Sequence, residues 1–224
     1  MFTALAVTLL ALLAQVSFAA DGTYADDSAF MATHTEIVTL TKGDAAIAVA
    51  PAYQGRVMTS TYDQKSGPSF GWINRPVIEK GLMSAEERKG KLEQHIYIFG
   101  GEERFWLGPE GGQYAIFFKP GYKFEFSDWR TPAAIDTDAY KMVSKTEDSA
   151  SFKHACELQN HSGAKFNVGI ERKVTVLAKD DAAKILGVEL PDGLRMVGYE
   201  TDNRITNMGK NAWKPETGLL SIWI

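Results

Sequence analysis

The sequence holds a single cysteine, Cys156, so no disulfide can form within the chain. Its fold must rest on a buried core, which 224 residues are enough to supply. Histidine is also scarce. His34, His95, His154 and His161 fall at neither HxH nor HxxxH spacing, Cys156 has no second thiol beside it, and no EF-hand pattern occurs, so no metal is expected. There is no P-loop and no GxGxxG after a strand. The Gly100-Gly101 and Gly111-Gly112 pairs lead into no helix, so no cofactor is expected either. A GxSxG nucleophile motif is missing. Basic residues are not in excess: 24 Lys and Arg face 28 Asp and Glu, for a net charge of −4, which argues against a nucleic-acid partner. Neither a fixed-period repeat nor a low-complexity tract appears.

One apolar run stands out, from Phe2 to Val16, followed by Ser17-Phe-Ala19 with small residues where a signal peptidase reads them. The run is shorter than the ~20 residues a membrane span needs. Residues 1–19 therefore read as a signal peptide cleaved after Ala19, and no membrane association is expected after cleavage. No cysteine follows for lipid attachment. A long exported chain without disulfides suits the bacterial periplasm or secretion from a bacterium.

Beyond the leader, the pattern is β-rich. Residues 20–33 are small, polar and aperiodic and read as a flexible lead-in, and residues 34–224 as one β-sandwich domain. Alternation predicts strands at 35–40, 45–50 and 56–62, with a turn at Thr41-Lys-Gly-Asp44. Ser84 and Glu87 have capping-box spacing and predict a short charged helix to about Leu92. Further strands are expected at 95–99, 113–119 and 122–126, the last two joined by a Pro120-Gly121 turn. A long hairpin follows. Phe152, His154, Cys156 and Leu158 share one face of its first strand, and Phe166, Val168, Ile170, Val174 and Val176 one face of its second. His154 and Cys156 then read as core residues and His161 as a solvated turn residue. A short helix over 180–186 should stop at Gly187, with a strand over 195–207. The apolar ending 219–224 predicts that more β-structure follows Ile224. Many short strands with few helices predict an all-β, mostly antiparallel sandwich.

The chemistry concentrates in Phe99–Gln113, FGGEERFWLGPEGGQ, a glycine-rich loop between strand-like runs. Glu102, Glu103 and Glu110 are candidate acceptors for hydroxyl groups, Arg104 a candidate partner for a carboxylate or an acidic sugar, and Trp106 a stacking platform. Gln113 closes the motif, and His95 stands just before it. Adjacent Glu102 and Glu103 on an extended segment should point to opposite faces. Paired carboxylates also suit glycoside chemistry, given a separation of ~5–9.5 Å. The competing reading is a rigid corner in which glutamate and arginine pair internally.

Gly100-Gly-Glu-Glu-Arg-Phe-Trp-Leu-Gly-Pro-Glu-Gly-Gly-Gln113 closely resembles the motif of an uncharacterised family of exported bacterial proteins. Gly55-Arg-Val-Met58, Gly169–Leu177 and Tyr199–Gly209 are similar to strands of galactose mutarotase-like β-supersandwich proteins. That resemblance implies a sugar-facing concave sheet. It carries no mechanism, because the histidine acid of aldose epimerases has no counterpart after His161. The expectation is an exported carbohydrate-binding or carbohydrate-processing protein with a saccharide cleft around residues 100–113. The alternatives are a structural or protein-interaction module of the envelope, and a glycoside-active enzyme completed by sequence beyond Ile224.

Overall fold

The computed structural model describes residues 22–84, 86–87, 89, 91 and 94–224. Residues 1–19, expected to be a signal peptide, lie outside them. Among the described residues no helix is long and apolar enough to cross a membrane.

The structure is all-β in class, with antiparallel sheets and few helices. The first sheet holds β1 (Val38–Lys42), β2 (Ala45–Ala50) and β3 (Arg56–Thr61) in that order. In β2, Ala46, Ala48 and Ala50 face one way and Ile47 and Val49 the other, and every residue is buried. A strand apolar on both faces belongs to a layer covered on both sides. The Ile47/Val49 face packs against a sheet formed later in the chain. The alanine face is small enough to admit Tyr24 and Met31 of a helix, α1 (Tyr24–Ala32), with Ile78, Tyr97 and Phe99 beside them.

That helix corrects the flexible lead-in expected over 20–33. Thr23 accepts a hydrogen bond from the Asp26 amide at 3.1 Å, and Asp26 and Asp27 occupy the first turn, where the helix dipole favours them. Hydrophobic periodicity is weak because only one narrow edge is buried. An unanticipated helix, α2 (Arg75–Lys80), is tied to α1 by the Arg75–Asp27 ion pair at 2.6 Å. At Ser84 and Glu87 both reciprocal capping bonds form, 2.7 and 3.2 Å, over a turn rather than the expected helix. Residues 85, 88, 90, 92 and 93 of that stretch are not described.

The second large sheet has the order β5 (Lys141–Lys145), β6 (Ser149–Gln159), β7 (Lys165–Val176), β8 (Tyr199–Asn207). β6 and β7 form the expected long hairpin, pairing from Ser149↔Thr175 to Gln159↔Lys165. Phe152, Leu158, Phe166, Val168, Ile170, Val174 and Val176 meet Val38, Leu40, Ile47, Val49 and Val57 of the first sheet in the main core. Cys156 packs against that core, half-buried, and burial raises its thiol to about 11, so it stays protonated. His154 is also half-buried, stacked on Tyr140 at 5.0 Å with Nε2 3.3 Å from Asp138. His161 is half-buried, with Nδ1 3.1 Å from Lys119 O. α3 (Lys179–Leu186) ends at Gly187 in the left-handed region, as expected. Between the two sheets in sequence lies β4 (Trp106–Gly108), paired with β9 (Ser221–Trp223).

Three expected strands are not formed. In 95–99, Tyr97 and Phe99 are buried and Ile98 is exposed, but the backbone bonds to Asn74 and Thr131 instead of a ladder. In 113–119, Ala115 to Phe118 are all buried, so the run has no solvent side. Its backbone is satisfied piecemeal by Pro109, Gly112, Arg130 and His161. In 122–126, the alternating Tyr122, Phe124 and Phe126 find no sheet edge and remain exposed. The turn between these runs is real: Tyr122 N donates to Lys119 O at 3.1 Å, with Gly121 at φ 82° after Pro120.

Candidate functional site

Residues 100–104 of the glycine-rich loop extend the first sheet at β3. Glu102 N donates to Val57 O at 2.9 Å, and Val57 N donates to Glu103 O at 3.1 Å. From this backbone, Glu102 and Glu103 both reach the inward row of β8, instead of diverging as the extended geometry predicts. Tyr199 donates to Glu102 at 3.1 Å, and Thr201 lies 3.4 Å from Glu103.

Glu103 is engaged from below by Arg172, an arginine in the otherwise apolar inward row of β7, fully buried as a side chain. Both guanidinium Nη atoms reach the carboxylate, one of them at 3.0 Å. The same guanidinium donates from Nε to Gly55 O at 2.9 Å and from Nη1 to Asn203 Oδ1 at 2.8 Å. Arg104 pairs with Asp136 at 3.3 Å, donates to Ile135 O and covers the Trp106 ring at 4.2 Å. Burial lowers Arg104 and raises Asp136, so desolvation outweighs their mutual attraction. Arg56, a second fully buried arginine beside Arg172, donates to Gly100 O at 2.8 Å and lies 3.3 Å from Gln54 Oε1. Burial, and after it the Arg104 charge, brings Arg56 down to about 9, which leaves it cationic at neutral pH.

Burial holds the Glu102 carboxyl above the usual carboxylate range, against the opposing hydrogen bonds of Ser60 and Tyr199. A carboxyl with a raised folded pKa stabilises the fold fully below its unfolded value, and this contribution is lost as pH rises through the folded value. Glu102→Gln removes the titration and keeps an acceptor for Tyr199. Its melting temperature should gain on that of the parent between about pH 4 and about pH 7. Parallel melting curves over that range would show that Glu102 carries no charge penalty.

The rest of the motif lies further out. Trp106 is half-buried and donates to Glu110 at 2.5 Å, and Glu110 and Gln113 are exposed. Trp106 also packs on Phe117 at 5.3 Å, Phe117 stacks on Trp129 at 5.0 Å, and His95 stacks on Phe126 at 4.2 Å. Phe117 opens onto a cleft of about 940 Å³ lined mainly by Ile116–Pro120, Tyr122, Asp128 and Arg130–Ala133, with Lys91 and Gln159. The loop 100–113 therefore buttresses the cleft through Trp106, while the segments on its C-terminal side line it.

The structure brings Glu102, Glu103 and Arg172 together, and separately Arg104, Trp106 and Glu110. His95 belongs to the cleft neighbourhood through Phe126 and Arg130. Sequence reasoning missed Arg172, Asp136, Tyr122 and Arg130. The signal for Arg172 was present, since a charge at an inward strand position demands a buried partner. Among the described residues no cluster of three or more His, Cys, Asp or Glu could hold a metal ion. No curated protein and no solved structure matches the chain. The chain belongs to DUF6786, a family of unknown function whose profile matches residues 22–224.

Proposed function

We propose that the chain is an exported carbohydrate-binding or carbohydrate-processing protein, and that its saccharide sits in the cleft between residues 116–122 and 128–133. The observation that carries this reading is the exposed aromatic row Tyr122, Phe124 and Phe126 beside a cleft that also presents charged groups. Aromatic faces next to a few convergent polar groups suit a ligand with both apolar ring faces and hydroxyls. Phe124 is held edge-on by Phe118 at 5.1 Å and Phe126 by His95, so these rings are fixed rather than loose. The resemblance of β7 and β8 to galactose mutarotase-like strands supports the same ligand class.

The buried pairs Glu103–Arg172 and Arg104–Asp136 favour a scaffold role for residues 100–104. In the saccharide reading they hold the wall; in the envelope-module reading they are all the motif does.

Thermal-shift and calorimetric titrations against neutral and acidic oligosaccharides separate the two. Binding should raise the melting temperature with dose. Tyr122→Ala, which removes an exposed ring that makes no side-chain hydrogen bond among the described residues, should weaken that binding at least about tenfold with an unchanged melting temperature of the free protein. No shift with any saccharide at saturating concentration would transfer the assignment to the envelope module.

A further inference from the structure

Resting on the saccharide reading, we infer that the cleft is built for an acidic sugar, with Arg130 as the residue that receives its carboxylate. Arg130 lines the cleft, and its guanidinium is fixed before any ligand arrives. Its Nη1 donates to Ser127 O at 2.8 Å and to Trp129 O at 2.6 Å, which uses both protons on that nitrogen, and His95 Nδ1 lies 2.8 Å from it. The His95 ring flanks it, with Nδ1 2.6 Å from the same Trp129 carbonyl. Neutral carbonyls orient this cation without neutralising it. Its Nε proton is buried with no partner, and its Nη2 makes no hydrogen bond among the described residues. A partly desolvated cation whose hydrogen bonds among the described residues go to neutral carbonyls is costly, and an incoming anion relieves that cost.

The surrounding charges point the same way. Lys91 and Lys119 also line the cleft, in a chain whose net charge is −4. The one acid of the lining among the described residues, Asp128, accepts the Lys123 amide at 3.0 Å and so closes its own loop. A pre-oriented guanidinium with Nη2 left for a ligand suits a carboxylate oxygen. Arg104, the arginine that the motif itself offered for this role, is occupied by Asp136, Ile135 and Trp106.

The test is calorimetric titration of the chain with oligogalacturonate, with the same oligomer fully methyl-esterified, and with neutral oligogalactose. The acid form should bind at least about tenfold more tightly than the ester, since a hydrogen bond between charged groups is replaced by a neutral contact. Arg130→Met should bring the acid down to the affinity of the ester and leave ester binding unchanged. Because Arg130 also ties its loop, Lys119→Gln at the exposed rim serves as a second variant. It should weaken acid binding about two- to threefold and flatten its salt dependence, with an unaltered fold. Equal affinity for acid, ester and neutral forms would overturn the acidic assignment and leave the saccharide cleft standing. Binding of none of the three would overturn both.

Discussion

Arg172→Met should destabilise the protein by about 3–5 kcal/mol, measured as a fall in the denaturation midpoint with an unchanged slope. The loss comes from what stays behind. Glu103, with a side chain only 11% exposed, would lose its cation, and Gly55 O and Asn203 Oδ1 would each lose their donor. Lysine is no substitute, because a single ammonium cannot serve Glu103, Gly55 and Asn203 from one plane. The double variant Glu103→Gln, Arg172→Met should recover most of the loss, since it removes both charges together. A single variant within about 1 kcal/mol of the parent would mean that solvent already screens this pair. In that case the anchor joining β7 and β8 to the glycine-rich loop would have to lie elsewhere.

What could be read from the chain follows the range of the interactions involved. The β1–β2–β3 meander, the β6–β7 hairpin and the Gly187 stop of α3 rest on local alternation and turn chemistry, and the structure keeps them. The runs 113–119 and 122–126 have strand-like composition, but their fate depends on whether a sheet edge is available. Ala115–Phe118 is buried on every side and Phe126 is 73% exposed, two outcomes that periodicity cannot distinguish. The α1 helix hid behind weak amphipathicity, although Thr23 and Asp26 supplied its start. At the candidate site, the motif offers Glu103 and Arg104 but not the residues they pair with. Glu103 and Arg104 are spent on Arg172 and Asp136, partners 69 and 32 residues away that no spacing rule connects. The cleft residue Tyr122 lies in a segment whose expected strand does not form, and Arg130 in the irregular stretch that follows it.

Gly100→Ala should be the most damaging change within the motif itself. Gly100 sits at φ 91°, and an added Cβ would lie 2.1 Å from Trp72 O and 3.1 Å from Asn74 N. Both are backbone atoms, so no rotamer change relieves the overlap. The segment cannot simply retreat, because Gly101 N donates to Trp72 O at 2.8 Å and Asn74 N to Phe99 O at 3.1 Å. Any shift also pulls the Gly100 carbonyl from Arg56, whose cation is only 2% exposed. Left-handed strain alone costs about 1–2 kcal/mol, and the overlap adds to it, so a loss of about 3 kcal/mol or more is expected. Two glycines of the same motif calibrate the result. Gly112, at φ 80° with nothing within 4 Å, should show the strain alone on change to alanine. Gly111, with open space and no positive φ, should show almost nothing. Chemical denaturation of the three alanine variants should rank them in that order. Equal losses at 100 and 112 would mean that the first glycine pair, like the second, is only a turn. The unequal result would place the weight of the motif at its N-terminal end, where the backbone docks on β3 and aims Glu102 and Glu103 at β8.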